Sequence, residues 1–170
     1  QGHLLVYFDS YKNLRDFFGN LTITADKKIC SQGIVECLNF AKNYNGFGIL
    51  AHIELTSGFE KTIGRFGPPI EEVLKHESLL GLEINSKASI DLYTDLDDNT
   101  SRKRLLKLRK EHLGYDDNYT LPKLMSSDSH TLDRLGTNAE GETKLTRFKV
   151  DDLNFHSVKI ALLTHESRVR

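Results

Sequence analysis

Apolar positions in this chain fall into short unbroken runs separated by amphipathic stretches, and that alternation sets the expected fold. His3-Leu4-Leu5-Val6-Tyr7-Phe8 has the character of a buried strand, predicted over 3–8. A helix follows over roughly 10–19, where Leu14, Phe17 and Phe18 share one face. After a polar link around Asp26, Ser31 is the expected N-cap of a helix ending near Asn43, with Val35, Leu38, Phe40 and Ala41 as its apolar positions. The run Phe47-Gly48-Ile49-Leu50-Ala51-His52 predicts a strand over 47–52. A long connection, 53–68, then carries Gly58, Gly64 and Gly67. Pro69 suits the first turn of a helix reaching about His76, with Glu71 and Glu72 at its positive end.

The apolar run Leu79 to Asn85 predicts the next strand, and an acidic irregular stretch with Asp91, Asp95, Asp97 and Asp98 follows it. A basic helix is expected from about Ser101 to His112, stopped by Gly114. The last strand is predicted over 123–128. A loop or hairpin is expected over 136–146, and a final helix opened by Asp151-Asp152 carries Leu153, Ile160, Ala161 and Leu162. Strands alternating with helices predict an α/β fold of mostly parallel strands with flanking helices, in a sheet or barrel.

Two of these strands end in metal-ligand residue types. In extended chain residues i and i+2 point to one side, so Asp128 and His130 in Ser126-Ser127-Asp128-Ser129-His130 can reach one cation. His52 closes the second strand, and His3 opens the first. Asp and His are the ligands a hydrolytic metal centre needs, and strand ends are where α/β barrels hold their chemistry. His52, Asp128 and His130 are therefore the expected catalytic metal ligands, with His3 as a further one. Glu83 lies between Leu82 and Ile84, where a carboxylate must be paired, hydrated or near a cation; it is expected to support the ligands. The connection 53–68 would lie over the site as a lid, with Lys61 and Arg65 facing a phosphate, and Arg134 adds a further anion contact. His76, His112, His156 and His165 stand amid polar residues and are expected to be structural.

Composition narrows the setting more than the chemistry. The chain has 170 residues, 38% hydrophobic and 28% charged, with a net charge of −1, as one globular α/β domain spanning 1–170 would have. That near-neutral balance gives no global attraction for nucleic acid. The basic run Arg102 to Lys110 is instead expected to be the solvated side of a helix whose Leu105, Leu106 and Leu113 are buried; a nucleic-acid face is the alternative. No apolar run is long enough to span a membrane, and no export leader opens the chain. Cys30 and Cys37 lack CxxC spacing, so ordinary thiols and a cytoplasmic setting are expected, and the sequons at Asn20, Asn99 and Asn118 carry no weight. The chain opens abruptly on a buried-type strand, as the later part of a larger domain would.

Taken together, His3 in His-Leu-Leu-Val, His52 in Gly-Ile-Leu-Ala-His, Glu83 in Gly-Leu-Glu-Ile, and Ser-Asp128-Ser-His130 with Leu135-Gly136 resemble the polymerase and histidinol phosphatase (PHP) family. Glu54 to Glu60, Arg65 to Ile70 and Leu162 to Arg170 are similar to PHP domains that precede a large SMC-like or AAA-like ATPase. The resemblance implies the later part of a distorted (β/α)7 barrel with up to three metal ions at the strand ends, zinc, manganese or iron. It implies metal-assisted phosphoester hydrolysis, of a phosphodiester or phosphomonoester, with a phosphorylated substrate or nucleic acid as partner. His3, His52, Asp128 and His130 match its ligand positions; Glu83 matches less well. The family's opening H-x-H motif, a further His and a Glu have no counterpart here, so the expected cluster is reduced to one metal or none, with impaired activity. The alternative is a catalytically degenerate regulatory module of an attached ATPase. Exposed edges of an incomplete barrel would also favour a homo-oligomer.

Overall fold

A computed structural model describes residues 2–26, 29–127, 129, 131–137 and 141–170. Its centre is an open four-stranded sheet in the order β1-β2-β3-β4, from β1 (Leu4–Tyr7), β2 (Phe47–Leu50), β3 (Leu79–Glu83) and β4 (Lys123–Leu124). β1 runs antiparallel to β2, while β2, β3 and β4 are parallel. Every residue of β2 and β3 is buried, as parallel strands covered on both faces require.

The helices are α1 (Tyr11–Phe18), α2 (Ile34–Asn43), α3 (Phe59–Ile63), α4 (Pro68–Lys75), α5 (Thr100–Leu113), α6 (Phe155–Leu163) and α7 (His165–Arg168). Their ends follow from local chemistry. The Ser10 side chain accepts from Asn13 N, and Asn99 accepts from Ser101 N and Arg102 N, satisfying amides that have no helical partner. Pro68 and Pro69 occupy the first turn of α4. Gly114 closes α5 in the left-handed conformation at φ 68°.

One face of the sheet, with Leu50, Leu82 and Ile84, packs with Leu38 of α2, Leu74 of α4 and Leu105 of α5. The other face presents Phe47, Ile49, Leu80 and Leu124 to Leu162 of α6 and to Phe148. Among the described residues no helix is long and apolar enough to cross a membrane.

Four expectations change. The N-cap of α2 is Gly33, without a side-chain bond, so Ser31 does not cap it; the Ser31 hydroxyl donates to the Thr22 carbonyl instead. The connection 53–68 holds helix α3. β2 ends at Leu50 and not at His52, because His52 turns into the left-handed region at φ 29°. β4 stops at Leu124, since Met125 N–H leaves the ladder for the Thr146 hydroxyl at 2.7 Å.

The basic helix α5 is also not a solvated cationic side. Arg109 is fully buried and Lys110 nearly so. Arg102 pairs with Asp97 and Glu60, and Arg104 pairs with Glu71. Most of its charge is compensated inside the chain, which leaves little field for a nucleic-acid backbone.

Candidate functional site

The structure brings His3, His52, Glu83 and Ser126 together where β2, β3 and β4 end. His3 extends the β1–β2 pairing by one rung, its carbonyl accepting from Ala51 N–H at 3.1 Å. That rung sets the imidazole beside His52, the two rings edge to face with centroids 5.0 Å apart. Glu83 alternates with Leu82 and so faces the opposite side of the sheet from it, beside Tyr7, Phe47 and Ile49.

The bend at His52 is what makes the cluster. With φ at 29°, a conformation that strains a non-glycine residue and concentrates at functional sites, two consecutive amides turn toward β3. His52 N–H donates to Glu83 Oε2 at 3.1 Å and Ile53 N–H to the Glu83 carbonyl at 3.0 Å. Glu83 Oε1 accepts a short hydrogen bond from the Ser126 hydroxyl. A single carboxylate thus ties the ends of β2 and β4 across β3.

His52 Nδ1 is buried without a hydrogen-bond partner, 3.5 Å from Glu83 Oε2. Burial, and secondarily the charge of Glu83, pushes the Tyr7 hydroxyl above its ordinary pKa, so Tyr7 stays a neutral donor group at this edge.

Gly58 fixes the bend from behind. Leu55 N–H bonds the His52 carbonyl at 3.0 Å and Gly58 N–H bonds the Leu55 carbonyl at 2.9 Å. A Cβ at Gly58 would overlap the His52 carbonyl oxygen and stand 2.8 Å from Ile53 backbone atoms. Gly58→Ala is expected to lower stability by about 1–3 kcal/mol through overpacking. Urea denaturation checks it, and an unchanged midpoint would mean that the turn relaxes freely.

Asp128 and His130 lie outside the described residues. Their neighbour Ser127 accepts Gly136 N–H at 3.0 Å, so this segment meets the Leu135-Gly136 turn. Lys61 on α3, Arg65 just after it, and Arg134 are exposed, and among the described residues none of the three forms an ion pair. His76 and His165 are held in place by Asn39 and Thr120, and burial lowers the pKa of both. Ser126 was not singled out in the sequence, although the i, i+2 rule that groups Asp128 with His130 also includes it.

No family model, curated protein or solved structure matches this chain.

Among the described residues no group of three or more His, Cys, Asp or Glu side chains is already arranged as a cation cage. Two donors of this cluster could face a divalent ion: the buried Nδ1 of His52, which makes no hydrogen bond, and the His3 imidazole against it; both Glu83 oxygens are already engaged, by His52 N–H and the Ser126 hydroxyl. Beside Glu83 and Ser126 opens a largely apolar cavity of about 360 Å³, with Leu124, Leu145 and Phe148 in its walls and Lys144 and Thr146 at its polar side. Its size and few convergent polar groups are those of a small-ligand pocket.

Proposed function

We propose that this chain carries part of a divalent-metal phosphoesterase site at the ends of β2, β3 and β4, within a barrel of the PHP type. The supporting observation is the buried Nδ1 of His52, which makes no hydrogen bond and stands beside His3, 3.5 Å from Glu83 Oε2. A buried polar atom without a partner is costly, and a cation removes that cost by taking the lone pair. His52 and His3 would hold the ion, with Asp128 and His130 completing the set on the strength of their sequence positions. When bound, such an ion polarises phosphoryl oxygens and acidifies water to a pKa of about 7.

The remaining work belongs to the chain. Glu83 fixes the His52 backbone and accepts a hydrogen bond from the Ser126 hydroxyl, so the imidazole is oriented before any ligand arrives. Lys61 and Arg65 supply mobile positive charge for a phosphate, and the adjacent cavity takes the apolar body of the ester.

Metal content by mass spectrometry of the purified chain tests this. About one zinc, iron or manganese per chain is expected, with His52→Ala losing it and Lys61→Ala retaining it. A chain that takes up none of the three after incubation and desalting, or a His52→Ala variant that keeps its metal, overturns the reading. The first of those results would favour the regulatory module.

A further inference from the structure

The carboxy-terminal segment forms a small basic ladder that the metal site does not use. Arg147 and Arg170 exchange both backbone hydrogen bonds, at 2.6 and 2.9 Å, and Lys149 N–H bonds the Arg168 carbonyl at 2.7 Å. Between these rungs Phe148 meets Val169 in an antiparallel bridge, and both pack on the core face that holds Phe47 and Leu162. Side chains alternate along extended chain. With Phe148 and Val169 inward, Arg147 and Arg170 fall on the outer side, and Lys149 and Arg168, the last residue of α7, line one cavity with them.

Like charges directly opposite one another destabilise a strand pair, and here the Arg147–Arg170 rung carries only cationic side chains, with Lys149 and Arg168 beside it. Among the described residues none of these four side chains forms an ion pair; Arg168 Nη1 donates to the Lys149 carbonyl at 3.3 Å.

Two adjoining cavities open on this ladder and share Arg147 and Arg170, one of about 300 Å³ and one of about 590 Å³. The larger is walled by Ile84, Ile90 and Met125 and adds Lys87 and Lys123. The Lys123 amine donates to the Leu121 carbonyl at 2.8 Å. Burial brings its pKa down to about 8 against the pull of Asp97 and Asp91, and Asp97 is itself committed to Arg102. Cations in a row beside an apolar slot match a ligand with linked phosphates and a flat apolar group.

We propose that this ladder and slot bind single-stranded nucleic acid, its phosphates on the Arg147–Arg170 rung and on Lys149 and Arg168 beside it, and a base against Ile84, Ile90 and Met125. Arginine is suited to phosphate through its planar fork of donors, and single-strand binders combine a cationic track with surfaces for bases. The slot would have no role for a bare polyphosphate. None of these cations bonds His52 or Glu83 among the described residues, so the inference stands apart from the metal reading.

Fluorescence anisotropy with labelled oligo-dT, across a salt series, tests it. Binding should weaken with salt, and Arg147→Ala with Lys149→Ala should lower affinity roughly tenfold and flatten the log–log salt slope by about 1.4, about 0.7 per cation. The charge-keeping pair Arg147→Lys with Lys149→Arg should bind like the parent chain, and circular dichroism confirms that each variant is folded. Should the alanine pair fail to fold, Arg170→Ala alone must still flatten the slope. Absent binding of oligo-dT, or alanine variants that bind as the parent does, overturns the proposal. So does inorganic tripolyphosphate binding the chain when oligo-dT does not, which would make the ladder a polyphosphate site.

Discussion

Replacing Arg109 by alanine is expected to cost about 3–5 kcal/mol, enough to leave a domain of ordinary stability largely unfolded. Arg109 is completely buried, and among the described residues no carboxylate pairs with it. Its charge is solvated by the chain's own dipoles. Nη1 donates to the carbonyls of Leu74 and His76 at 2.6 and 3.0 Å, Nη2 to that of Leu79 at 2.7 Å, and Nε to the Tyr119 hydroxyl at 3.1 Å.

Leu74 lies in the last turn of α4, where the helix dipole favours a cation. The rings of Tyr115 and Tyr119, stacked on each other with centroids 3.9 Å apart, lie together on one side of the guanidinium at 5.6 and 5.7 Å, within cation–π range. One side chain therefore joins α5, the end of α4 and the start of β3. Alanine strands three carbonyls in a dry interior, at about 1–3 kcal/mol for each left unpaired, and opens a large cavity. Lysine cannot reproduce the fork and is expected to fall between the two. Urea denaturation checks this, the midpoint falling with the slope unchanged. A loss below about 1 kcal/mol would show that the carbonyls find water.

The second large effect is expected at Asp97, which is buried and accepts four hydrogen bonds. Arg102 donates to it through Nε at 2.7 Å and Nη2 at 3.0 Å, Tyr93 N–H at 2.7 Å and Asn99 N–H at 2.8 Å. The third arm of Arg102 reaches Glu60 on α3 at 3.2 Å, so the network fastens the loop beyond His52 to α5. Asp97→Ala leaves a half-paired guanidinium and two unpaired amides, a loss of about 3–5 kcal/mol.

Burial alone would push the Asp97 carboxyl up, but the Arg102 pair and the two amide bonds together outweigh it and hold its pKa below the ordinary value. The sign follows from linkage: the carboxylate's contribution is complete above about pH 4 and is lost as pH falls through the lower, folded-state value. The gap between the parent chain and Asp97→Asn should therefore be constant near neutrality and close in acid. A gap independent of pH down to acid unfolding would assign the effect to shape and not to charge.

Much of the fold was legible because its signals are local. The all-apolar runs of β2 and β3, the prolines opening α4 and the glycine closing α5 need only neighbouring residues to be interpreted. Helix α3 was hidden because it is five residues long between two glycines, too short for periodicity to register. The misjudged charges of α5 have a different cause: the carbonyls that accept from Arg109 lie 30 to 35 residues away in sequence, and no pattern within the helix announces them. At the site, strand-end placement pointed to His52 and Glu83. Their contact depends on a left-handed turn at a histidine, a conformation uncommon for any residue but glycine and announced by no local pattern. The basic ladder was equally invisible, since it arises from one bridge between Phe148 and Val169, the residue that caps α7.

The antiparallel edge strand gives the site a seam. β1 has four residues, joins the sheet through β2, and carries His3 on its approach, whereas His52 follows β2 and Glu83 ends β3, the two interior strands. Edge elements open at a fraction of the free energy of global unfolding. The two facing imidazoles can therefore separate while the interior strands remain intact. Whatever is held between them would be captured and released on the timescale of fraying at one short edge, so its residence time is set by local rather than global stability.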